Sequence, residues 1–181
     1  MKSQQVVIAV VFSIVTLLFC GQDGSAAVLS HLTIVGEKQG RIEGSCTEKG
    51  REGTIEVYSF GHNVYIPRDA QTGLPSGKRI HTPFKILKKI DKSTPKLYYA
   101  LVMGEHLRGV TLKFYRISAK GQEEHYFTIE LADALIMSIT PSSSQSESYG
   151  DRETVSFSYQ KIKWTWILDG ISTEDTWSVV K

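Results

Sequence analysis

The chain has 181 residues, room for one domain behind a processed leader, and its 21 basic and 19 acidic side chains leave a formal net charge of +2. So even a balance excludes a general nucleic-acid binder, which needs a clustered excess of Lys and Arg to neutralise phosphates.

The first segment reads as a secretory signal peptide. Lys2 precedes an uncharged apolar run, "VVIAVVFSIVTLLFC" (6–20), and "GQDGSAA" (21–27) closes it with small residues. Ser25 and Ala27 suit the two recognition positions, which puts signal cleavage after Ala27 and leaves residues 28–181 as the mature domain. Gly24 and Ala26 offer a second register. At about 1.5 Å per residue the run falls short of a hydrocarbon core of about 30 Å, so no stable membrane insertion of the mature chain is expected. Cys20 is a poor lipidation site, because Phe19 stands where a small residue is needed. Removing 1–27 takes away Lys2 and Asp23, leaving the net charge at +2 and Cys46 as the sole cysteine. No internal disulfide is then possible, and Cys46 is expected to be buried as a small apolar residue.

The mature chain reads almost wholly as strand. "HLTIVG" (31–36) and "RIEGSC" (41–46) come first, separated by a Gly-containing charged turn. "GTIEVYSFGHNVYIP" (53–67) is long, with Tyr58, Phe60, His62, Val64 and Ile66 on one face. "KRIHTPFKILKKID" (78–91) follows, and Pro83 marks an edge or a break. Its lysines Lys85, Lys88 and Lys89, continued by Lys92 and Lys96, read as the solvated side of a strand running into a helix. That helix lies in 91–106, with Thr94 as cap, Pro95 at the first helical position, Gly104 as stop, and Leu97, Ala100 and Leu101 on one face. Three turns are too short for an independent unit, so the helix should plug or flank a barrel.

Two more strands follow. In 109–118, Val110, Leu112 and Phe114 alternate before the phase slips to Tyr115 and Ile117. In 124–140, Phe127, Ile129 and Leu131 share a phase. The last strand, "TVSFSYQKIKWTW" (154–166), buries Val155, Phe157 and Tyr159 and then changes phase to Ile162, Trp164 and Trp166. Either a β-bulge near Gln160–Lys161 restores the apolar face, or both faces are covered, one of them by another chain. Tyr159, Trp164 and Trp166 therefore read as barrel filling or subunit contact rather than a sugar-stacking platform.

Two stretches lack periodicity. "PSSSQSESYGD" (141–151) reads as a flexible tip. "PRDAQTGLPSGK" (67–78) is far longer than a hairpin needs, and its residues suit an ordered excursion. Pro67 and Pro75 restrict the backbone, and Gly73 and Gly77 permit turns. Arg68, Asp69 and Lys78 offer charged hydrogen bonds across an interface, and Leu74 is the apolar side chain free to plug into a neighbour. These four residues are the candidate subunit contact.

No catalytic constellation emerges, and none for a cofactor. Five histidines stand singly without metal-ligand spacing, and there is neither a G-x-S-x-G elbow nor a phosphate-binding glycine loop. Glu123 and Glu124 are adjacent, so on a strand they point to opposite faces and cannot share a proton.

Taken together, "GRIEGSCTEKGREGTIEVYSFGHNVYIPRDAQTGLPSGKRIHTPFKILKKIDKSTPKLYYALVMGEHL", "VTLKFYR", "HYFTIELADALIMSI" and "VSFSYQKIKWTW" resemble the haemolysin-coregulated proteins (Hcp), the inner-tube subunits of the bacterial type VI secretion system. The similarity runs from about residue 31 to 177. It implies a mainly β fold, a barrel of two antiparallel sheets with one lateral α-helix, assembled as homohexameric rings that stack into a hollow tube. It further implies partners among type VI secretion components and effectors, and a loop that packs on the adjacent protomer. Hcp subunits carry no leader, whereas residues 1–27 read as one, so either the true start lies further downstream, near Val28, or the chain is an exported paralogue. A second reading therefore stays open, an exported Hcp-like paralogue that acts as a periplasmic or surface ligand-binding module.

Overall fold

The computed structural model describes residues 30–143 and 150–176. The predicted leader, its cleavage at Ala27 and most of the serine-rich tip lie outside the described residues. Among the described residues, twelve strands and one helix follow in chain order. They begin with β1 (Ser30–Gly36), β2 (Gly40–Ile42), β3 (Ile55–Gly61), β4 (Val64–Tyr65), β5 (Ile80–His81) and β6 (Phe84–Lys89). Then come α1 (Thr94–Val102), β7 (Leu107–Ile117), β8 (Glu123–Ala132), β9 (Leu135–Ser142), β10 (Arg152–Ser158), β11 (Lys161–Trp166) and β12 (Ile171–Thr176).

Pairing is antiparallel throughout, and two bent strands close the barrel. β8 pairs with β11 up to Ala132↔Lys161, and β9 pairs with β10 from Leu135↔Ser158. The two long strands thus lie side by side across a shared corner. On one side of it β8 joins β7, and on the other β10 joins β6. β1 connects β7 to β3, and β3 reaches β6, which completes the circuit. At the corner Asp133 takes a left-handed φ of 49°, and Gln160 N–H donates to the Ala132 carbonyl at 3.2 Å. Leu107 and Ala134 exchange backbone bonds of 2.8 and 3.0 Å there.

This corner resolves the phase change in the final strand. Val155, Phe157 and Tyr159 point inward, Gln160 is exposed at the bend, and Ile162 is again fully buried. The bend sits between Tyr159 and Gln160, and no second chain is needed to bury Ile162. Leu32, Ile34, Ile55, Phe84, Leu107 and Phe157 complete a core with no solvent exposure. The helix α1 flanks the barrel against β9, burying Leu97 and Ala100.

Four local expectations are corrected. The span 53–67 is not one strand. β3 buries Ile55 and Val57, its register with β6 shifts between Val57 and Ser59, and the chain leaves the barrel after Gly61. Val64 and Ile66 are consequently exposed rather than core, and Phe60, although its ring meets Phe84 and Phe114, is 45% exposed at the barrel's edge. The span 41–46 pairs as a strand only to Ile42. Beyond it Gly44 lies so close to the next segment that a Cβ would meet the Thr54 carbonyl at 2.3 Å, and this contact presses Cys46 against 53–54.

Ser93, not Thr94, occupies the helix cap, and Pro95 falls in the first turn; Gly104, at φ 57°, does end the helix. The Thr94 hydroxyl instead accepts from Asp91 N–H at 3.1 Å and donates to Glu153 at 2.7 Å.

Lys88 is not solvated. It continues the inward alternation of Phe84 and Ile86, and Lys88 and Glu153 are both completely buried. Its Nζ lies 2.6 Å from Glu153 Oε1, 2.9 Å from Asp91 Oδ1 and 2.7 Å from the Lys89 carbonyl. Burial pushes the Asp91 carboxyl up, but hydrogen bonds from Ser93 and Lys88 hold it below the ordinary carboxylate range.

Candidate subunit-contact surface

The excursion between β3 and β6 is a self-braced arm. Its base is a short ladder, Val64↔His81 and Tyr65↔Ile80, extended by Asn63 N–H to the Thr82 hydroxyl at 2.9 Å. Its tip is closed by Asp69, whose Oδ1 accepts from Gln71 N–H at 3.1 Å, Thr72 N–H at 2.8 Å and the Thr72 hydroxyl at 2.9 Å. Those bonds hold the Asp69 carboxyl below its usual range, Thr72 contributing most. Arg68 bridges to Pro75 and donates to the Gly73 carbonyl at 3.0 Å, while Gly73 supplies the left-handed turn at φ 70°. Of the four predicted contact residues, Arg68 and Asp69 therefore brace the loop itself. Leu74 (65% exposed) and Lys78 are presented outward. Val64, Tyr65, Ile66 and Ile80 add further exposed apolar surface.

The arm is anchored to the barrel by a polar chain. Tyr159 Oη lies 2.5 Å from His62 Nε2 and 2.9 Å from His81 Nδ1, so the phenol donates one bond and accepts the other. His81 Nε2 in turn meets Asp175 Oδ2 at 2.8 Å, and Asp175 is paired with Arg79. A cleft of about 330 Å³ opens alongside, lined by His81, Thr82, Pro83, Met137, Ser158 and Tyr159. Tyr159 was legible as an aromatic of the last strand. Its histidine and Asp175 partners were not, because their separations in sequence carry no periodic signal.

Three histidine shifts, at His62, His31 and His125, make stability pH-dependent. Burial pushes His62 down, with His81 adding to the effect; burial and then Arg51 do the same to His31, and burial and then Lys113 to His125. Each has a folded pKa below its unfolded one, so on acidification the unfolded chain takes the proton first. The stability they confer is whole above about pH 6.5 and is lost as pH falls below that value towards each lowered folded pKa. The depressed carboxylates Asp91, Glu105 and Asp175 add losses only below about pH 4. Thermal unfolding followed by circular dichroism should give a lower midpoint at about pH 5 than at about pH 7.5, with a smaller step in His62→Asn. A flat midpoint across that window would contradict this account.

Other groups converge from separate segments. One ligand atom each of His31, Cys46 and Glu48 lie within 4.8 Å of one another, a grouping that local spacing did not reveal. Cys46 is buried, as expected. The outer face of α1 exposes Tyr99, Val102 and Met103. Among the described residues no helix is long and apolar enough to cross a membrane.

Comparison with known proteins accounts for this architecture. The family model described as "Type VI secretion system effector, Hcp" matches residues 31–166. The "Major exported protein" of Pseudomonas aeruginosa is 39% identical over 165 residues, covering 83% of this chain and 96% of that one. The structure of the Hcp1 protein from Escherichia coli EAEC 042 superposes with a TM-score of 0.77 at 36% identity, covering 84% of this chain and 100% of the other. The secreted protein Hcp3 of Pseudomonas aeruginosa gives 0.71 at 35% identity, over 84% and 99% of the two chains. With its closed barrel, lateral helix and projecting arm, the chain belongs to the Hcp family of type VI secretion proteins.

Proposed function

We propose that the chain is a structural tube subunit of a type VI secretion system, forming homohexameric rings that stack around a lumen able to carry effectors. The observation that carries this reading is the arm at 62–82. It is ordered by its own hydrogen bonds, yet it presents Leu74, Val64, Tyr65 and Ile66 to solvent where the barrel core has no use for them. A rigid projection with an apolar surface suits docking on a neighbour, because little conformational entropy remains to be lost on binding. Its role is assembly rather than catalysis, and its partners are copies of itself, other secretion components and effectors. The names of the relatives, an exported and a secreted protein, support delivery out of the cell.

The signal-like segment 1–27 favours a second reading, in which the general export pathway delivers a ring or barrel that binds a ligand outside the cytoplasm. One experiment separates the two. Protein recovered from medium and from cytoplasm is analysed by intact mass and by light scattering, in cells with and without a functional contractile sheath. The tube reading expects a hexameric mass and release that requires the sheath. Sheath-independent release of a chain beginning at Val28 would instead establish the exported module and the leader.

A further inference from the structure

We propose that His31, Cys46 and Glu48 form a binding site for a divalent transition metal of the zinc class. Thiol, imidazole and carboxylate are the three side-chain types that zinc takes, and three protein ligands leave a fourth position for water. Ligand atoms on a tetrahedron with bonds of about 2.0–2.3 Å stand about 3.3–3.7 Å apart. His31 Nε2 and Glu48 Oε2, at 3.5 Å, already have that spacing, and the thiol needs only a small closing movement from within 4.8 Å.

The imidazole is set up to ligate. The Thr54 hydroxyl donates to the Arg51 carbonyl at 2.7 Å, so its oxygen is left to accept from His31 Nδ1–H at 3.0 Å. The lone pair is therefore on Nε2, facing the cluster, where it also accepts from Arg51 at 3.1 Å. Ligating histidines are held in this way, by a second partner on the far nitrogen. Cys46 is buried, at 5% residue exposure, and is not in a disulfide, so its sulfur is available as the third ligand. Gly44 makes this placement possible by letting the segment lie against Thr54.

A positive charge already stands at the mouth of the cluster. Arg51 Nη1 lies 2.7 Å from Glu48 Oε2 and 3.1 Å from His31 Nε2. The same guanidinium is held independently by Glu123 and by the Tyr115 ring, 3.8 Å from its Cζ. A metal ion replaces the Nη1 contacts while Arg51 keeps its other two, and Glu48, which is exposed, gives the ion a route in. Binding converts the Cys46 thiol to a metal-bound thiolate and releases one proton to solvent, with no change of oxidation state.

The test uses the untagged full protein as purified, titrated with zinc chloride by calorimetry in two buffers of different ionisation enthalpy. Cobalt chloride provides a parallel optical readout. One ion per chain, release of about one proton and a thiolate-to-cobalt charge-transfer band are expected. Cys46→Ser should abolish the band, and Glu48→Gln, at an exposed position that leaves the fold intact, should weaken zinc binding at least about tenfold. Absence of the band, or zinc binding unchanged in Glu48→Gln, would overturn the site.

Discussion

Replacing residues 68–77 with a short Gly-Asn turn is expected to leave the barrel folded and to convert the proposed rings into smaller species. Both halves follow from where the arm spends its interactions. Asp69, Arg68 and Gly73 bond to one another within the loop, and no residue from 63 to 80 belongs to the buried core. Circular dichroism and the thermal midpoint should therefore change little. Assembly should change greatly, because the removed surface includes Leu74, the most exposed large apolar side chain of the arm. An apolar anchor in an interface costs about 2 kcal/mol or more when truncated, a factor of about thirty per contact, and a ring multiplies that over its interfaces. Leu74→Asp should act in the same direction, raising the concentration at which rings dissociate in sedimentation. A shortened variant that still sediments as an intact ring would show that the arm is not the clamp.

The second large effect concerns stability. Lys88 and Glu153 face each other directly across β6 and β10, both fully buried. Glu153 Oε2 has no hydrogen-bond partner, so desolvation of this carboxylate is incompletely compensated. Removing one partner leaves an uncompensated buried charge, at a cost of about 3–5 kcal/mol. For a domain of this size that is a drop of roughly 10 °C or more in thermal midpoint. Lys88→Met is expected to show it in full, and Glu153→Leu to a smaller extent, because Lys88 keeps Asp91 at 2.9 Å. The double variant should recover part of the loss, because the buried Lys88–Glu153 charges are gone while Asp91 still lacks its lysine. Thermal melts of the four proteins measure the coupling directly. Independent, additive losses would mean that the pair is not the unit of stability here.

The pattern of apolar residues determined which parts of the chain pair as strands. Alternation placed Val110, Leu112 and Phe114 of β7 and Val155 and Phe157 of β10 inside, where they lie. Pro95 and Gly104 bracketed the helix, and the prolines and glycines of 67–78 announced an ordered excursion. Those signals are local: periodicity and backbone restriction act over a few residues, so they survive in a single sequence. Tertiary structure decided the rest. Five lysines in one stretch look alike, and only closure of the barrel, with α1 set across its side, puts Lys88 against Glu153 and leaves the other four exposed. A register shift at Val57–Ser59 and the exit of the chain after Gly61 broke up the single face expected from Tyr58 to Ile66, and the corner at Asp133 and Tyr159–Gln160 turned one long hairpin across two sides of the barrel. The same closure assembled His62, His81, Tyr159 and Asp175, and brought His31 to Cys46 and Glu48. Burial of a polar side chain depends on what covers it, and a side-chain cluster depends on which distant strands become neighbours. Neither is a property of the local pattern.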